Sequence, residues 1–315
     1  MLRLIANRLG LGVVTLFAVS ILIFVCTQIL PGDVASAVLG QGATPETLAA
    51  FRKELGLNVP AYQRYFNWLW GALHGDLGVA MTNKRVIIDE LLPRLYNTLF
   101  LAGYAALIAI PLSVGLGILA AINEGKFVDK ASNVLTLITI SVPEFFIAYL
   151  LIILFVVNLE WFPSLATVFP GISFSERVYI TTLPALALTL LVAAHMLRMT
   201  RSSVLSVMSS PYIEMAFLKG ATRSRVIARH ALPNAAAPII TVVALNIAYL
   251  VVGVVVLESV FVYPGIGQLM VDAVAKRDVP VIQACGLVFA GVFVILNTLA
   301  DVLVIMVNPR LRHKR

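Results

Sequence analysis

The chain contains few charged residues. Only 12% of its 315 residues are aspartate, glutamate, lysine or arginine, whereas 60% are hydrophobic. Soluble domains carry about 25% charged residues, so this composition excludes an ordinary soluble domain. The scarcity of charge is concentrated in six long runs, of which five have no charged residue and one has only Glu144. The runs cover residues 9–30, 95–123, 131–159, 178–197, 230–257 and 279–300.

Each run is long enough to cross a membrane as a helix, for which about 20 apolar residues suffice. A helix is expected because lipid offers no partner for free backbone N–H and C=O groups. The sequence therefore predicts an all-α integral membrane protein with six transmembrane helices. The first helix covers 9–30 after a terminal segment 1–8, a long loop covers 31–94, and the other five helices lie within 95–307, before a tail at 308–315.

Cysteine is also scarce, and the sequence motifs of nucleotide-binding and catalytic sites are missing. Cys26 and Cys285 both lie in predicted spans, where a free cysteine behaves as a small buried hydrophobe. The sequence contains no G-x-x-x-x-G-K-[ST], G-x-G-x-x-G, G-x-S-x-G, H-E-x-x-H or C-x-x-C. Its 4 histidines are scattered. These observations predict neither an enzyme nor a metal or cofactor bound by this chain.

The first run could be a cleaved signal peptide or a retained span. Arg3 and Arg8 precede it, and the small residues Ala35-Ser36-Ala37 follow it, as at a cleavage site. The apolar run is longer than the 7–15 residues typical of a signal peptide. Pro31-Gly32-Asp33 resembles the start of a loop. The retained span is favoured.

The net charge of +7 indicates topology and not a nucleic-acid partner. Six crossings place both termini on one side, and that side would hold most of the lysines and arginines. Membrane proteins keep such residues on the cytoplasmic side. Both termini and the segment 199–235 are therefore predicted to be cytoplasmic. The basic residues on that side are Arg3, Arg8, Lys126, Lys130, Arg198, Arg201, Lys219, Arg223, Arg225, Arg229, Arg310, Arg312, Lys314 and Arg315.

The loop at 31–94 is rich in aromatic residues towards its end. Such a cluster is typical of a helix lying at the membrane interface. A docking surface for another protein is the alternative, and the interfacial helix is favoured. The residues are Tyr62, Tyr65, Phe66, Trp68 and Trp70.

Three acidic residues lie in or at the ends of the uncharged runs: Glu144, Glu258 and Asp301. Acidic side chains in a membrane are costly and often functional. Glu144 follows Pro143, which breaks the third run. The favoured interpretation is that each acid lies near a helix end, where it reaches water or an arginine. The alternative is that the acids line a path through the membrane.

The segment 210–233 interrupts the apolar sequence between the fourth and fifth runs. Ser210 and Pro211 are typical of a helix start, and Glu214 would complement the helix dipole in the first turn. Gly220 is suited to the left-handed residue that ends a helix. Thr222 would then start a second short helix, which Pro233 would stop. The pattern predicts two short helices hinged at Gly220, a projection suited to docking on a partner.

The spacing of these residues resembles the EAA loop of ABC importer permeases. That loop reads E-A-A, three residues, G, nine residues and I-x-L-P. Glu214-Met215-Ala216, Gly220 and Leu232-Pro233 match it, whereas Met215 and His230 depart from the family's alanine and isoleucine. The resemblance implies that seven residues of this loop couple the chain to the ATPase subunits. They are Glu214, Ala216, Gly220, Arg223, Arg225, Leu232 and Pro233.

The resemblance extends over most of the chain and narrows to the peptide/nickel group of permeases, with the B-type permeases of dipeptide and oligopeptide importers as the nearest likeness. Nine short motifs carry it in order. They are Leu30-Pro31-Gly32-Asp33, Leu55-Gly56-Leu57-Asn58, His74-Gly75-Asp76-Leu77-Gly78, Leu95-Tyr96-Asn97-Thr98-Leu99, Ser141-Val142-Pro143, Thr200-Arg201-Ser202-Ser203, Tyr263-Pro264-Gly265-Ile266-Gly267, Arg277-Asp278-Val279-Pro280-Val281-Ile282-Gln283 and Asn308-Pro309-Arg310-Leu311-Arg312.

The resemblance implies a type I ABC importer permease of the bacterial inner membrane. Such a chain pairs with a second, similar permease and with two cytoplasmic ATPases that hold ATP and Mg²⁺, and a periplasmic binding protein delivers the substrate. Peptides are the favoured substrate, with nickel chelates, glutathione and opine-like solutes as alternatives. A secondary transporter is the alternative from another class, but the internal repeats common in that class are not found here. A membrane enzyme would need a cluster of titratable groups, which the sequence does not show.

Overall fold

The computed structural model describes residues 2–29, 44–46, 49 and 59–307. These residues are helical apart from short connections and one isolated bridge between Val79 and Val86, which confirms the predicted all-α class. Two matched motifs, at 30–33 and 55–58, the cleavage-like sequence and the tail at 308–315 lie outside the described residues. The helices are α1 (Leu2–Ile29), α2 (Ala61–Leu73), α3 (Ile87–Ile122), α4 (Phe127–Ser141), α5 (Glu144–Ile152), α6 (Phe174–Met208), α7 (Pro211–Leu218), α8 (Arg223–Val226), α9 (Leu232–Val260), α10 (Ile266–Lys276) and α11 (Val279–Val307).

Several helices extend beyond the uncharged runs. α1 already begins at Leu2, and α3 begins at Ile87, within the segment predicted as loop. The first turn of α3 contains Asp89 and Glu90, whose charges complement the positive end of the helix dipole. An uncharged run marks the part of a helix that lies in hydrocarbon, so it underestimates the length of the helix.

Five helices are long and apolar enough to span a membrane, and a sixth span is broken. The five cover Ala6–Ile29, Ile87–Ile122, Phe174–Met208, Arg223–Val260 and Val279–Met306. The third uncharged run instead forms α4 and α5, which are bent by 103° relative to each other, with a π-helical turn (Ile153–Asn158) continuing α5. Pro143 causes the break, because a residue before proline avoids the helical conformation and Val142 is extended.

The broken pair nevertheless carries the chain from one end of the bundle to the other. Near its start, Asp129 pairs with Arg201 at the end of α6. Just beyond its end, the backbone oxygen of Trp161 accepts a hydrogen bond from Tyr179 Oη at the start of α6. Tyr179 and Arg201 are about 33 Å apart along α6 at 1.5 Å per residue. Counted as one span, the broken pair brings the number of segments long and apolar enough to cross a membrane to six, the number that the sequence predicted.

The first and last helices run antiparallel. Arg8 near the start of α1 pairs with Asp301 near the end of α11, with 3.0 Å between Nη1 and Oδ2. At the other end, Gln283 Nε2 donates to Thr27 Oγ1 over 2.9 Å. The start of α1 and the end of α11 therefore lie at the same end of the bundle, as an even number of traverses requires.

The core lies between α3, α6 and α9, and small side chains allow these helices to approach closely. Ala105 and Ala185 are completely buried there beside Leu188 and Leu250. Small residues are enriched where membrane helices pack, because lipid gives no hydrophobic drive for their association. This tight packing holds the three helices as one scaffold for the sites described below.

α2 packs against the end of α1 that carries Thr27. Its Tyr65 is buried, and its hydroxyl lies 2.8 Å from Ser20 Oγ. Arg64 Nη2 donates to Gln28 Oε1 over 2.6 Å. On the opposite face of α2, Phe66 and Trp70 are exposed. This amphipathic placement supports the favoured interfacial helix.

Candidate functional site

The segment 211–226 forms a short helix, a glycine turn and the start of a second helix, and is named here the hairpin. α7 starts after Ser210 with Pro211 in its first turn and ends in a turn at Gly220. Gly220 has φ +81°, and its N–H donates to the oxygen of Phe217 over 2.9 Å. The predicted left-handed glycine is confirmed. An added Cβ would meet nothing within 4 Å, so only the backbone conformation requires glycine here.

The hairpin is fixed to the bundle by a small apolar cluster. Ile213 from α7, Val226 from α8 and Ala231 are almost fully buried together. They pack against Val207 and Met208 at the end of α6. Phe217 on the same helix is outside this cluster and 40% exposed. Because the buried cluster joins both arms to α6, the hairpin moves with that helix.

The predicted stop of the second helix at Pro233 is wrong. α8 continues through a π-helical turn (Ile227–Ala231) directly into α9, and one span covers Arg223–Val260. Proline lacks an N–H and clashes with the preceding turn, but the first helical turn tolerates it. The π turn widens the helix just before Leu232-Pro233, and α9 restarts with the proline in its first turn. The second arm of the hairpin is thus the first turn of the fifth span, which begins at Arg223.

The outward face of the hairpin is apolar around Glu214. Tyr212, Met215 and Leu218 are exposed, Leu218 by 74%. Glu214 is exposed as well, and no described side chain is hydrogen bonded to its carboxylate. An exposed apolar patch carrying a free charge is typical of a surface that docks to a partner.

The arginines of the hairpin differ in their contacts. Arg223 Nη2 donates to the backbone oxygen of Ile122 over 2.7 Å, which ties the hairpin to the end of α3. A cation at that position also complements the negative end of the α3 dipole. Arg225 is exposed on the hairpin surface.

Arg201 of the matched Thr200-Arg201-Ser202-Ser203 motif pairs with Asp129 at the same end of the bundle. The guanidinium donates through Nε to Asp129 Oδ1 and through Nη2 to Oδ2, the latter over 2.8 Å. Asp129 also accepts hydrogen bonds from Gly125 N and Asn133 Nδ2. This bidentate pair fixes α4 to α6 beside the hairpin.

Glu258 is completely buried at the end of the bundle opposite the hairpin. Its Oε1 accepts from Thr98 Oγ1 over 2.6 Å, and its Oε2 accepts from the backbone N–H groups of Gly267 and Gln268 over 2.7 and 3.2 Å. Those N–H groups start α10, so the carboxylate sits at the positive end of a helix dipole. The favoured expectation that Glu258 reaches water or an arginine is wrong, because a hydroxyl and two backbone N–H groups hold its carboxylate inside the protein.

The Tyr263–Gly267 motif is shaped around this carboxylate. A Cβ on Gly265 would lie 2.0 Å from Glu258 Oε1, and one on Gly267 would lie 2.9 Å from Oε2. Tyr263 Oη donates to the oxygen of Asn97, whose amide donates to the oxygen of Pro264. The matched motifs at 95–99 and 263–267 therefore form one buried network.

Asp301 is half-buried near the end of α11 and pairs with Arg8, which agrees with the expectation that it reaches water or an arginine. Glu144 starts α5 at the break of the third span and lines a cavity. The cavity, named here the central cavity, has a volume of about 670 Å³ and lies between α5, α6 and α9. Its lining residues are Glu144, Leu191, Val192, His195, Met199, Leu245, Asn246, Tyr249, Val252, Gly253 and Val256.

Sequence reasoning missed Asp129 and the polar residues His195, Asn246 and Tyr249 of the central cavity. Asp129 sits next to Lys130 at the edge of a run, where it looks like an ordinary helix-start residue. The polar cavity residues are divided between two apolar spans, with His195 in α6 and Asn246 and Tyr249 in α9. The spacing of His195 and Met199 by one helical turn was the available signal, and it does not distinguish a cavity from a helix contact.

Comparison with known proteins identifies the family. The family described as "Binding-protein-dependent transport system inner membrane component" matches residues 113–313, and the one described as "Binding-prot-dependent transport system membrane comp, N-term" matches 1–102. The first match covers more than half of the chain. The chain therefore belongs to the family of binding-protein-dependent transport system inner membrane components. It is a permease component, and ATP hydrolysis resides on separate subunits.

Two curated relatives align with the chain over its full length. The dipeptide transport system permease protein DppB of Escherichia coli (strain K12) is 36% identical, with 100% of both chains covered. The glutathione transport system permease protein GsiC of the same strain is 37% identical, also with 100% of both covered. The resemblance to peptide-type permeases is confirmed.

A solved structure shares the fold. The MetNI methionine ABC transporter, solved in inward-facing conformations, matches with a TM-score of 0.54 over 69% of this chain and 96% of its own. The identity is 16%, so the likeness shows the fold alone. The chain has the type I ABC importer permease fold.

Proposed function

We propose that the chain forms one half of the path of an ATP-driven importer for dipeptides and oligopeptides, with a second, distinct but homologous permease as the other half. The similarity to a dipeptide permease over the whole of both chains is the observation that carries this substrate class. The central cavity supports it, because its volume of about 670 Å³ falls in the range of sites for small ligands.

The hairpin is the surface that couples this path to two ATPase subunits, which hold ATP and Mg²⁺. Its exposed apolar side chains and the exposed carboxylate of Glu214 provide the contact surface. Ile213 and Arg223 join it to α6 and α3, so a push on the hairpin tilts two spans at once. This tilt would convert the path between two conformations, and ATP binding would shift the equilibrium between them.

The hairpin end of the bundle faces the cytoplasm of a bacterial cell, with the chain in the inner membrane and both termini cytoplasmic. Arg8, Lys126, Arg201 and Arg225 all belong to this end, as the positive-inside rule requires. The opposite end, with α2 and α10, then faces the periplasm, where a binding protein delivers the substrate.

Glutathione is a second candidate substrate, because the chain is 37% identical to a glutathione permease over its full length. Both candidates are peptides with a free ammonium group. They differ in length and in the number of carboxylates.

The test is uptake by the complex reconstituted in proteoliposomes from both permeases, the ATPases and the binding protein. We expect ATP-dependent uptake of radiolabelled dialanine in one arm, and radiolabelled glutathione is supplied in a second arm. Uptake of dialanine supports the dipeptide class. Uptake of glutathione alone assigns the second candidate, and uptake of neither refutes the proposed substrate class.

A further inference from the structure

We propose that the central cavity contains a subsite for an ammonium group, with the carboxylate of Glu144 as its ligand. The proposal rests on the proposed function and makes it more specific. It assigns the recognition of the positively charged end of a peptide to this chain and to one residue of it.

Of the four acids Asp129, Glu144, Glu258 and Asp301, Glu144 is the one whose carboxylate has no hydrogen-bond or ion-pair partner among the described residues. Asp129, Glu258 and Asp301 are each held by an arginine or by hydrogen-bond donors. In the described part of the chain, no side chain or backbone group is hydrogen bonded to the Glu144 carboxylate. A carboxylate within a span is costly unless it reaches water or a cation. Glu144 therefore has binding capacity that the fold does not use.

The surroundings of Glu144 accept hydrogen bonds and carry no fixed positive charge. Of the described residues that line the cavity, none is a lysine or an arginine. Asn246 uses its Nδ2 to donate to the oxygen of Val242 over 2.8 Å, which leaves its Oδ1 as an acceptor. Tyr249, which is 67% exposed, adds a hydroxyl and an aromatic face that attracts cations. The lining also includes His195, whose ring can donate or accept a hydrogen bond. A cation is favoured because the carboxylate of Glu144 is accompanied by no lysine or arginine in the described lining.

The remainder of the lining is suited to the rest of a small peptide. Leu191, Met199, Leu245 and Val256 provide apolar walls. A mostly apolar cavity with a few convergent polar groups is the usual form of a small-ligand site. Pro143 breaks the third span directly before Glu144, so the carboxylate lies at a helix start in the middle of the span. Non-helical backbone is tolerated at that depth where it lines a cavity.

Equilibrium binding of two probes to the four-subunit complex in nanodiscs tests the subsite. The probes are radiolabelled dialanine and N-acetyl-dialanine, which differ in the ammonium group. The binding protein is omitted, so its own selection does not enter. We expect the unaltered complex to bind dialanine about tenfold more tightly than the acetylated probe, as one charge-assisted hydrogen bond allows.

Glu144→Gln is expected to bind the two probes with about equal affinity. Glu144→Asp should still prefer dialanine, because the charge remains. Glu176→Gln, which changes an exposed acid at the start of α6, is the matched control and should leave the preference unchanged. Basal ATPase activity shows that each complex is assembled.

An unaltered complex with no preference for the ammonium probe, or with no detectable binding of dialanine, overturns the proposal. A preference that survives in Glu144→Gln overturns it as well. These outcomes are separate from failure of the proposed function, which appears as absent ATP-driven uptake of both peptide substrates by the unaltered complex.

Discussion

Arg201 and Asp129 join the end of α6 to the start of α4 through two parallel hydrogen bonds, next to the hairpin that follows α6. Asp129 is 3% exposed, so most of the ion pair is shielded from water. A shielded pair of this geometry holds the broken span in register with the helix that carries the hairpin.

Removal of one partner of this pair should destabilise the protein. For Asp129→Asn we expect a loss of about 3 kcal/mol, because the guanidinium of Arg201, a side chain only 21% exposed, loses its counter-charge. Arg201→Gln should cost a similar amount. The measurement is unfolding of each purified variant in detergent. If both changes act on one interaction, the double variant loses less than the sum; additive losses would show that the two residues act independently.

Gly265→Ala should destabilise the protein although its backbone is unstrained. The new Cβ would lie 2.0 Å from Glu258 Oε1, so the carboxylate or the start of α10 must move. We expect a loss of about 3 kcal/mol, at the upper end of the usual range for overpacking. Gly103→Ala is the control, since its Cβ would meet nothing within 4 Å. Equal melting temperatures for the two variants would contradict the proposed role of Glu258.

Most of the architecture could be predicted from the sequence, because the bilayer imposes a simple rule. Lipid requires about 20 uncharged residues per crossing, so the runs themselves revealed six spans. The start of α7 and the glycine turn could also be predicted, since Pro211 and Gly220 act through local backbone conformation. Helix ends were less accurate, because charged residues at the interface continue a helix beyond the hydrocarbon.

Contacts between distant residues could not be predicted. Glu258 meets Thr98 across 160 positions, and Arg201 meets Asp129 across 72. No local pattern reveals which helices face each other. The error at Pro233 has a different cause. The sequence indicates a stop there, but the π turn before it lets the helix continue.

Cysteine labelling should reveal the orientation of the chain. In a variant with Cys26 and Cys285 replaced, a cysteine at position 220 should react with a membrane-impermeant reagent only after the inner membrane is opened. A cysteine at position 45 should react in intact spheroplasts. Reversed labelling would place the hairpin outside the cell and exclude its contact with ATPases.

Glu214→Gln should weaken the contact with the ATPases and leave the permease folded. The carboxylate is exposed and without a described partner, so its removal should change stability by less than about 1 kcal/mol. Co-purification of the ATPase subunits with the permease pair measures the contact. Retention equal to that of the unaltered chain would show that the charge of Glu214 plays no part in docking.

The claim that the hairpin couples ATP hydrolysis to import predicts a special sensitivity at Gly220. Gly220 and Gly171 have φ of +81° and +89°, and an added Cβ meets nothing within 4 Å at either position. A β-branched residue should therefore cost about 1–2 kcal/mol of backbone strain at both. Only Gly220 lies in the hairpin, where a changed turn tilts the docking surface. Coupling free energies are typically about 1–3 kcal/mol, so this strain is large enough to disrupt coupling.

The most direct test measures ATP hydrolysed per dialanine imported in proteoliposomes, for Gly220→Val and for the control Gly171→Val. We expect Gly220→Val to hydrolyse ATP with little or no uptake, or to lose its ATPases, while loaded binding protein still binds at the outer face. Gly171→Val should keep the ratio of the unaltered complex. A normal ratio in Gly220→Val would contradict the coupling role of the hairpin.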